Sequence, residues 1–221
     1  MKLKCTIIID TTIKDVKMMK QIALSWSGGK DSCMALHKLT STGKKVVCLV
    51  TTVPQETGKT FAHNEDMKKI KAQADSLEIP MEFIHCTYDT YTDDFLKELK
   101  RLKIKYKLDA LAFGDMYLDG HREWGQNLAD AAELEAVYPL WSNRSGMLQA
   151  LKRFVDTGYK AEVIKVREDL LPSNWVGRLL DDHFIKDISE KGICPMGESG
   201  EYHTFVYDGP LFNKEVKNIT L

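Results

Sequence analysis

Apolar positions along the chain follow two alternating periods. Ile22-Ala23-Leu24-Ser25-Trp26 is a short apolar run, the mark of a buried strand, and it ends in Ser27-Gly28-Gly29. Beyond it Cys33, Leu36 and Leu39 recur three apart, which predicts a helix that Gly43 closes. Val46 to Val50 is unbroken and apolar, as a strand covered on both faces requires. Asn64 is placed to cap the next helix, whose Met67, Ile70, Ala74 and Leu77 form one buried face before Pro80. Met81 to Cys86 then predicts a third strand, Phe95, Leu99, Leu102 and Tyr106 a helix, and Ala110 to Phe113 a fourth strand. Trp124, Leu128 and Ala131 predict a further helix face. Val137 to Leu140 predicts a fifth strand, which Pro139 confines to an edge or cuts short.

Five apolar β-runs separated by helices predict an α/β fold, with a parallel, five-stranded, Rossmann-like sheet and helices on both faces. The character changes near residue 143. Helical spacing returns at Met147, Leu151 and Phe154, alternation follows in Ala161 to Val166, and a Pro-Ser-Asn-Trp loop precedes a short helix around Phe184 to Ile188. Glycines and prolines punctuate the rest, from Gly192 to Pro210. The expected organisation is a main domain over 20–142 and a smaller C-terminal α+β domain over 143–221. Residues 1–19 precede them as an extension: a mis-assigned start, or an added strand in Cys5 to Asp10.

Composition narrows the classes. A chain of 221 residues can bury about 70% of its unfolded surface, and 43% hydrophobic with 29% charged residues excludes a disordered or fibrous protein. With 31 basic and 32 acidic side chains there is no global pull toward nucleic acid or an anionic membrane. Six basic residues crowd Lys97 to Lys107, but opposite the Phe95-Leu99-Leu102 stripe, where a solvated face is the simpler reading. No apolar run approaches a membrane span, and no signal peptide precedes the first strand. Five cysteines without a CxxC pair argue for reduced thiols in a cytoplasmic protein, against a disulfide framework or a structural zinc site.

The candidate chemistry begins at Ser27-Gly28-Gly29-Lys30-Asp31-Ser32, where a strand meets a helix. Two glycines bring backbone N–H groups together at the positive end of a helix dipole, a nest for phosphate. Lys30 adds a point charge and the serine hydroxyls add donors, while Asp31 also suits the first turn of a helix. Gly58-Lys59-Thr60 imitates a Walker loop, but Val53 stands where the earlier glycine is required, so it reads as a polar loop.

The Ser27–Ser32 segment is similar to the loop of the N-type ATP pyrophosphatases, the PP-loop superfamily. Within it, three further segments resemble the diphthine–ammonia ligases. They are Gly114-Asp115 with Arg122-Glu123 beyond, Trp175-Val-Gly-Arg178, and Gly197-Glu-Ser-Gly-Glu-Tyr-His-Thr-Phe205 leading to Asp208-Gly-Pro-Leu-Phe212. The likeness spans about residues 20 to 215. It implies that ATP activates a carboxylate as an acyl-adenylate, pyrophosphate leaves, and ammonia then displaces AMP to form an amide.

Residue roles follow from that resemblance. Lys30, Asp31, Glu198 and Glu201 are expected to be catalytic. ATP is expected against Ser25, Ser27, Gly28, Gly29, Ser32 and Thr51, with Gly114 and Asp115 completing its site and Mg2+ bridging its phosphates. Gly114 would let backbone approach the nucleotide, and Asp31 or Asp115 would hold the metal through water. Acceptor contacts are expected from Arg122, Glu123, Trp175, Gly177 and Arg178, and from Gly197, Glu198, Gly200, Glu201 and His203 in a flexible loop.

The implied acceptor is a diphthine-bearing elongation factor 2 or another carboxylate; a membrane or nucleic-acid partner is disfavoured and homo-oligomerisation is left open. The chain departs from the family pattern at Ser199, where a glycine is usual, and at His203, where an acid is usual. His203 then reads as a contact for an anionic acceptor or as an outward-alternating strand residue. Two other functions remain alongside: a pyrophosphatase acting on a different acceptor, small molecule or tRNA, and an adenine-nucleotide sensor without catalysis.

Overall fold

In β1 (Gln21–Ser25), Ile22, Ala23 and Leu24 are all buried, so this strand has cover on both faces and sits at the centre of the molecule. The computed structural model describes residues 19–54, 59–60 and 65–216; the expected strand in Cys5 to Asp10, the Gly58 turn and the Asn64 cap lie outside them. Around β1 the chain builds α1 (Lys30–Ser41), β2 (Lys45–Pro54), α2 (Met67–Ser76) and β3 (Met81–Cys86). It continues through α3 (Tyr91–Tyr106), β4 (Ala110–Ala112), α4 (Asp119–Ala131) and β5 (Glu135–Val137). All strand pairs are parallel, in the order β3-β2-β1-β4-β5. Strand order reverses between β1 and β4, which opens a crevice at their carboxyl ends.

Alternation along β1 assigns the helices to faces. Ile22 and Leu24 pack with Leu36 of α1 and Ile70 of α2, while Ala23 packs with Phe95 and Leu99 of α3 and Leu128 of α4. The expected parallel α/β sheet with helices on both faces is therefore present. Four details differ. β2 runs on through Thr51 to Pro54, because a buried threonine pair continues the strand where apolar character stops. β5 ends at Val137, before Pro139, and lies at the sheet edge. The buried face of α4 is Gly125, Leu128 and Ala129; Ala131 is exposed. The cap of α2 is Asp66, whose carboxylate accepts from the Lys68 amide at 2.7 Å.

The second part of the chain adds α5 (Met147–Asp156), β6 (Lys160–Val166), α6 (Asp182–Ser189) and β7 (Tyr202–Asp208). β6 and β7 pair antiparallel, and β7 contains the Thr204–Val206 alternation within a stretch that glycines and prolines punctuate. α5 joins the α1 side of the sheet: Leu151 and Phe154 belong to the same apolar core as Leu36 and Leu39.

β7 is fastened to the end of β1 by main-chain and side-chain bonds. The Val206 amide donates to the Gly28 carbonyl at 3.0 Å, and the Thr204 hydroxyl accepts from the Lys30 amide at 3.0 Å. Gln73 of α2, wholly buried, ties the turn after β1 to β7. Its amide nitrogen donates to the carbonyls of Gly28 (2.9 Å) and Val206 (2.6 Å), and its oxygen accepts from the Trp26 indole (3.0 Å). Gly28 sits at φ +79°, and a β-carbon there would lie 2.6 Å from both Gln73 and Ile70, so glycine alone fits. Gln73→Leu strands buried polar groups on Trp26 and Val206. It should cost about 2–4 kcal/mol in urea unfolding, and a loss under about 1 kcal/mol would show the clamp to be dispensable.

Candidate functional site

A cavity of about 630 Å³ lies at the carboxyl ends of β1 and β4, at the point where strand order reverses. One wall is the turn after β1, with Ser25, Ser27, Lys30, Asp31 and Ser32. A second is Gly114 and Asp115 after β4, and the third is the segment leading into β7, with Gly197, Glu198 and Gly200, together with His203 of β7 itself. Three stretches far apart in sequence thus converge on one volume. Ser25 and Ser27 are also shared with a side recess of about 80 Å³ that includes Thr51, whose hydroxyl donates to the Trp26 carbonyl.

The turn is rigid before any ligand arrives. Gly29 caps α1 in an extended conformation and its amide lies 3.3 Å from the Ser27 hydroxyl, while the Ser32 hydroxyl donates to the Gly29 carbonyl at 3.0 Å. Gly28 and Gly29 form the bend without lining the cavity. Gly114 approaches protein: a β-carbon there would stand 3.1 Å from Asp31 C and Ser32 N, so its bareness lets β4 and the first turn of α1 close together.

Lys30 is only 2% exposed. Its ammonium pairs with Asp31 at 2.9 Å and lies 4.8 Å from the centre of the Tyr202 ring. The other Asp31 oxygen, Oδ1, is buried without a hydrogen-bond partner, and burial raises this carboxyl above its ordinary value while the Lys30 charge pulls it down. Across the cavity Glu198 accepts from the Met116 amide at 2.7 Å. Burial pushes the Glu198 carboxyl up to about 7, the charges of Asp31 and Asp115 adding to the effect. Burial pushes His203 down to about 4, with Lys30 and Lys165 reinforcing it, so the imidazole is neutral at pH 7.

Among the described residues no group of three His, Cys, Asp or Glu side chains is close enough to cage an ion. The unpartnered Asp31 Oδ1 nevertheless suits a hydrated magnesium ion, which takes one or two carboxylates together with phosphate oxygens and water. Asp31 would hold it from α1 and Asp115 from the opposite wall.

The remaining expected residues stand elsewhere. Glu201 is 4% exposed and lines no part of the cavity; its oxygens accept from the amides of Cys194 (3.3 Å) and Ser199 (2.9 Å) and so fix the loop that presents Glu198. That loop is pinned, against the expected flexibility. Arg178 stacks on Trp175 at 4.3 Å and pairs with Asp187 at 2.6 Å, next to Gly177 and outside the cavity wall. Arg122 lies over Trp141 at 4.7 Å, and neighbouring Glu123 is exposed. Leu118, Ser199 and Tyr202 also line the cavity without a sequence assignment, as do Thr204 and His121. Thr204 is a strand-interior threonine with no signal; His121 stands in the first turn of α4, six residues after Asp115, and bonds it at 3.0 Å.

Comparison with known proteins places the architecture. The description "Diphthamide synthase N-terminal domain" matches residues 19–134, and "Diphthamide synthase C-terminal domain" matches 147–220. The chain belongs to the diphthamide synthase family. The likeness of its motifs to the diphthine–ammonia ligases is thereby borne out. A human protein named diphthine–ammonia ligase is 27% identical, covering 89% of this chain and 82% of its own. The Danio rerio protein of that name is 27% identical over 86% and 83%. The protein of that name from Schizosaccharomyces pombe is 28% identical over 86% of this chain, which spans about a third (34%) of its length. Among solved structures, a U34-tRNA thiolase, NcsA, from Methanococcus maripaludis aligns at 16% identity with a TM-score of 0.40, over 63% of this chain and 57% of its own.

The raised Glu198 carboxyl yields a test with a definite sign. Its folded value, about 7, exceeds its ordinary 4.5, so folding favours the proton. That contribution is fully present below about pH 4.5 and lost as pH rises through 7. Glu198→Gln, neutral at every pH, should be more stable than the parent by about 1–2 kcal/mol at pH 8 in metal-free buffer. Near pH 4 the two should match. Equal urea midpoints at both pH values would show that Glu198 is not desolvated.

Proposed function

We propose that this protein is an AMP-forming ligase that joins ammonia to the carboxylate of a diphthine-bearing protein, elongation factor 2. The observation that carries the reading is the convergence of the glycine turn and the Glu198 loop on one cavity. An anion nest and an acidic acceptor wall are what adenylation followed by amidation demands.

In this reading ATP lies across the crevice, its β- and γ-phosphates against the turn at 27–32 and its nucleoside toward Ser25 and the Thr51 recess. The acceptor carboxylate attacks the α-phosphorus and pyrophosphate departs. Lys30 and the first-turn amides of Asp31 and Ser32 stabilise the charge that builds on it. Magnesium, when bound, neutralises the phosphates and holds them in line. Glu198 and Asp115 attract ammonium by charge; once deprotonated, ammonia attacks the acyl carbon and AMP leaves. Glu201 acts at one remove by fixing Glu198, and neutral His203 contacts the acceptor. Nucleic acid is not the partner this surface suits: Arg101, Lys103 and Lys105 in the basic stretch of α3 are already paired with Glu82, Glu98 and Glu133.

Product analysis decides the matter. With ATP, ammonium and diphthine-bearing elongation factor 2, AMP and pyrophosphate should form in step with amide; ADP and phosphate would defeat the assignment. ATP bound but never cleaved would leave a sensor. Lys30→Ala should lower kcat by about a hundredfold or more.

A further inference from the structure

A second cavity of about 640 Å³, as large as the first and sharing no lining residue with it, runs along α1. Asp31, which lines the first cavity, lies on one face of α1 with Met34, Lys38 and Ser41, which line the second. The second therefore continues the first down the helix, for about 10 Å from Met34 to Ser41. The two also share a partition. The Met116 amide donates to Glu198 on one side while Met116 itself lines the groove on the other, and Met196 precedes Gly197 in the same manner.

The chemistry of the groove differs from that of the first cavity. Met34, Met116, Met147 and Met196 supply a deformable apolar floor that fits varied aliphatic side chains. Lys38 and Arg153 stand exposed on its walls, neither with an ion-pair partner among the described residues. Asp156 is the acid facing them, so positive charge is in surplus. A protein substrate whose side chain enters the first cavity must carry its backbone out over the adjoining surface. The groove is the apolar, cationic surface that adjoins it.

We propose that this groove docks an extended segment of the acceptor protein, acidic and aliphatic, flanking the residue that is amidated. It has room for three or four extended residues. This rests on the proposed function only in that the acceptor is a protein.

Steady-state kinetics with diphthine-bearing elongation factor 2 test it. Lys38→Glu and Arg153→Glu should each raise KM for the acceptor protein roughly tenfold, with kcat and the Kd for ATP unchanged. Both positions are exposed, and unchanged ATP binding reports an intact fold. An unchanged KM in both variants overturns the proposal and leaves the groove to a small ligand. If the parent protein does not amidate the factor at all, the proposed function fails, and the groove is judged by anisotropy of a labelled Leu-Glu-Leu-Asp-Leu peptide. Saturable binding weakened roughly tenfold by Arg153→Glu upholds it; no saturable binding refutes it.

Discussion

The Gly28 carbonyl is the point on which the molecule turns. It accepts from the Val206 amide and from Gln73, and those two bonds set a C-terminal strand directly behind the glycine turn at the end of β1. Every feature of the site depends on that docking. Thr204 reaches the Lys30 amide only because β7 lies there, Tyr202 provides the ring beside the Lys30 ammonium, and the loop carrying Glu198 is the lead-in to the same strand. An anion nest at a strand–helix junction is a local product of two glycines. Here the turn is tied to chain nearly 180 residues away, so order at the turn and order in the Glu198 loop are physically coupled.

Much of this was legible in advance, for reasons of periodicity. β1 to β4 and α1 to α3 are signalled because each has a face, or two, that must be apolar. The turn at 27–32 announces itself because few other structures need Ser, two glycines, Lys, Asp and Ser in succession. What stayed hidden is polar and buried. Gln73 falls between Ile70 and Ala74 on the apolar stripe of α2, where a lone glutamine signals nothing until three partners from the turn after β1 and from β7 surround it. The full length of β7 is masked by the glycines around it, beyond the alternation at His203, and the role of Glu201 by its resemblance to a reacting carboxylate. One-dimensional patterns report burial of carbon. They do not report which buried oxygen or nitrogen is satisfied by a distant chain.

Glu198 and Glu201 show how the same residue type, three positions apart, divides. Glu201 satisfies two backbone amides and is spent on structure; Glu198 satisfies one and keeps its other oxygen toward the cavity wall shared with Asp31 and Asp115. Spacing alone cannot make that distinction, because the bend at Gly200 reverses the chain between them.

The charge balance of the cavity constrains any chemistry within it. Asp31, Asp115 and Glu198 line it, against Lys30 as the permanently charged cation, and that lysine is already paired with Asp31. His203 adds no charge at neutral pH. A polyphosphate entering such a volume brings several negative charges to a site with almost no positive surplus, so cations must enter with it or the carboxyls must take protons. The orphaned Asp31 oxygen answers to the first route and the elevated Glu198 carboxyl to the second. A site built this way binds a bare anion weakly and an anion accompanied by cations well. In the proposed reaction this favours a nucleotide carrying its metal, and an acceptor step in which a cationic nitrogen arrives against the Glu198 wall.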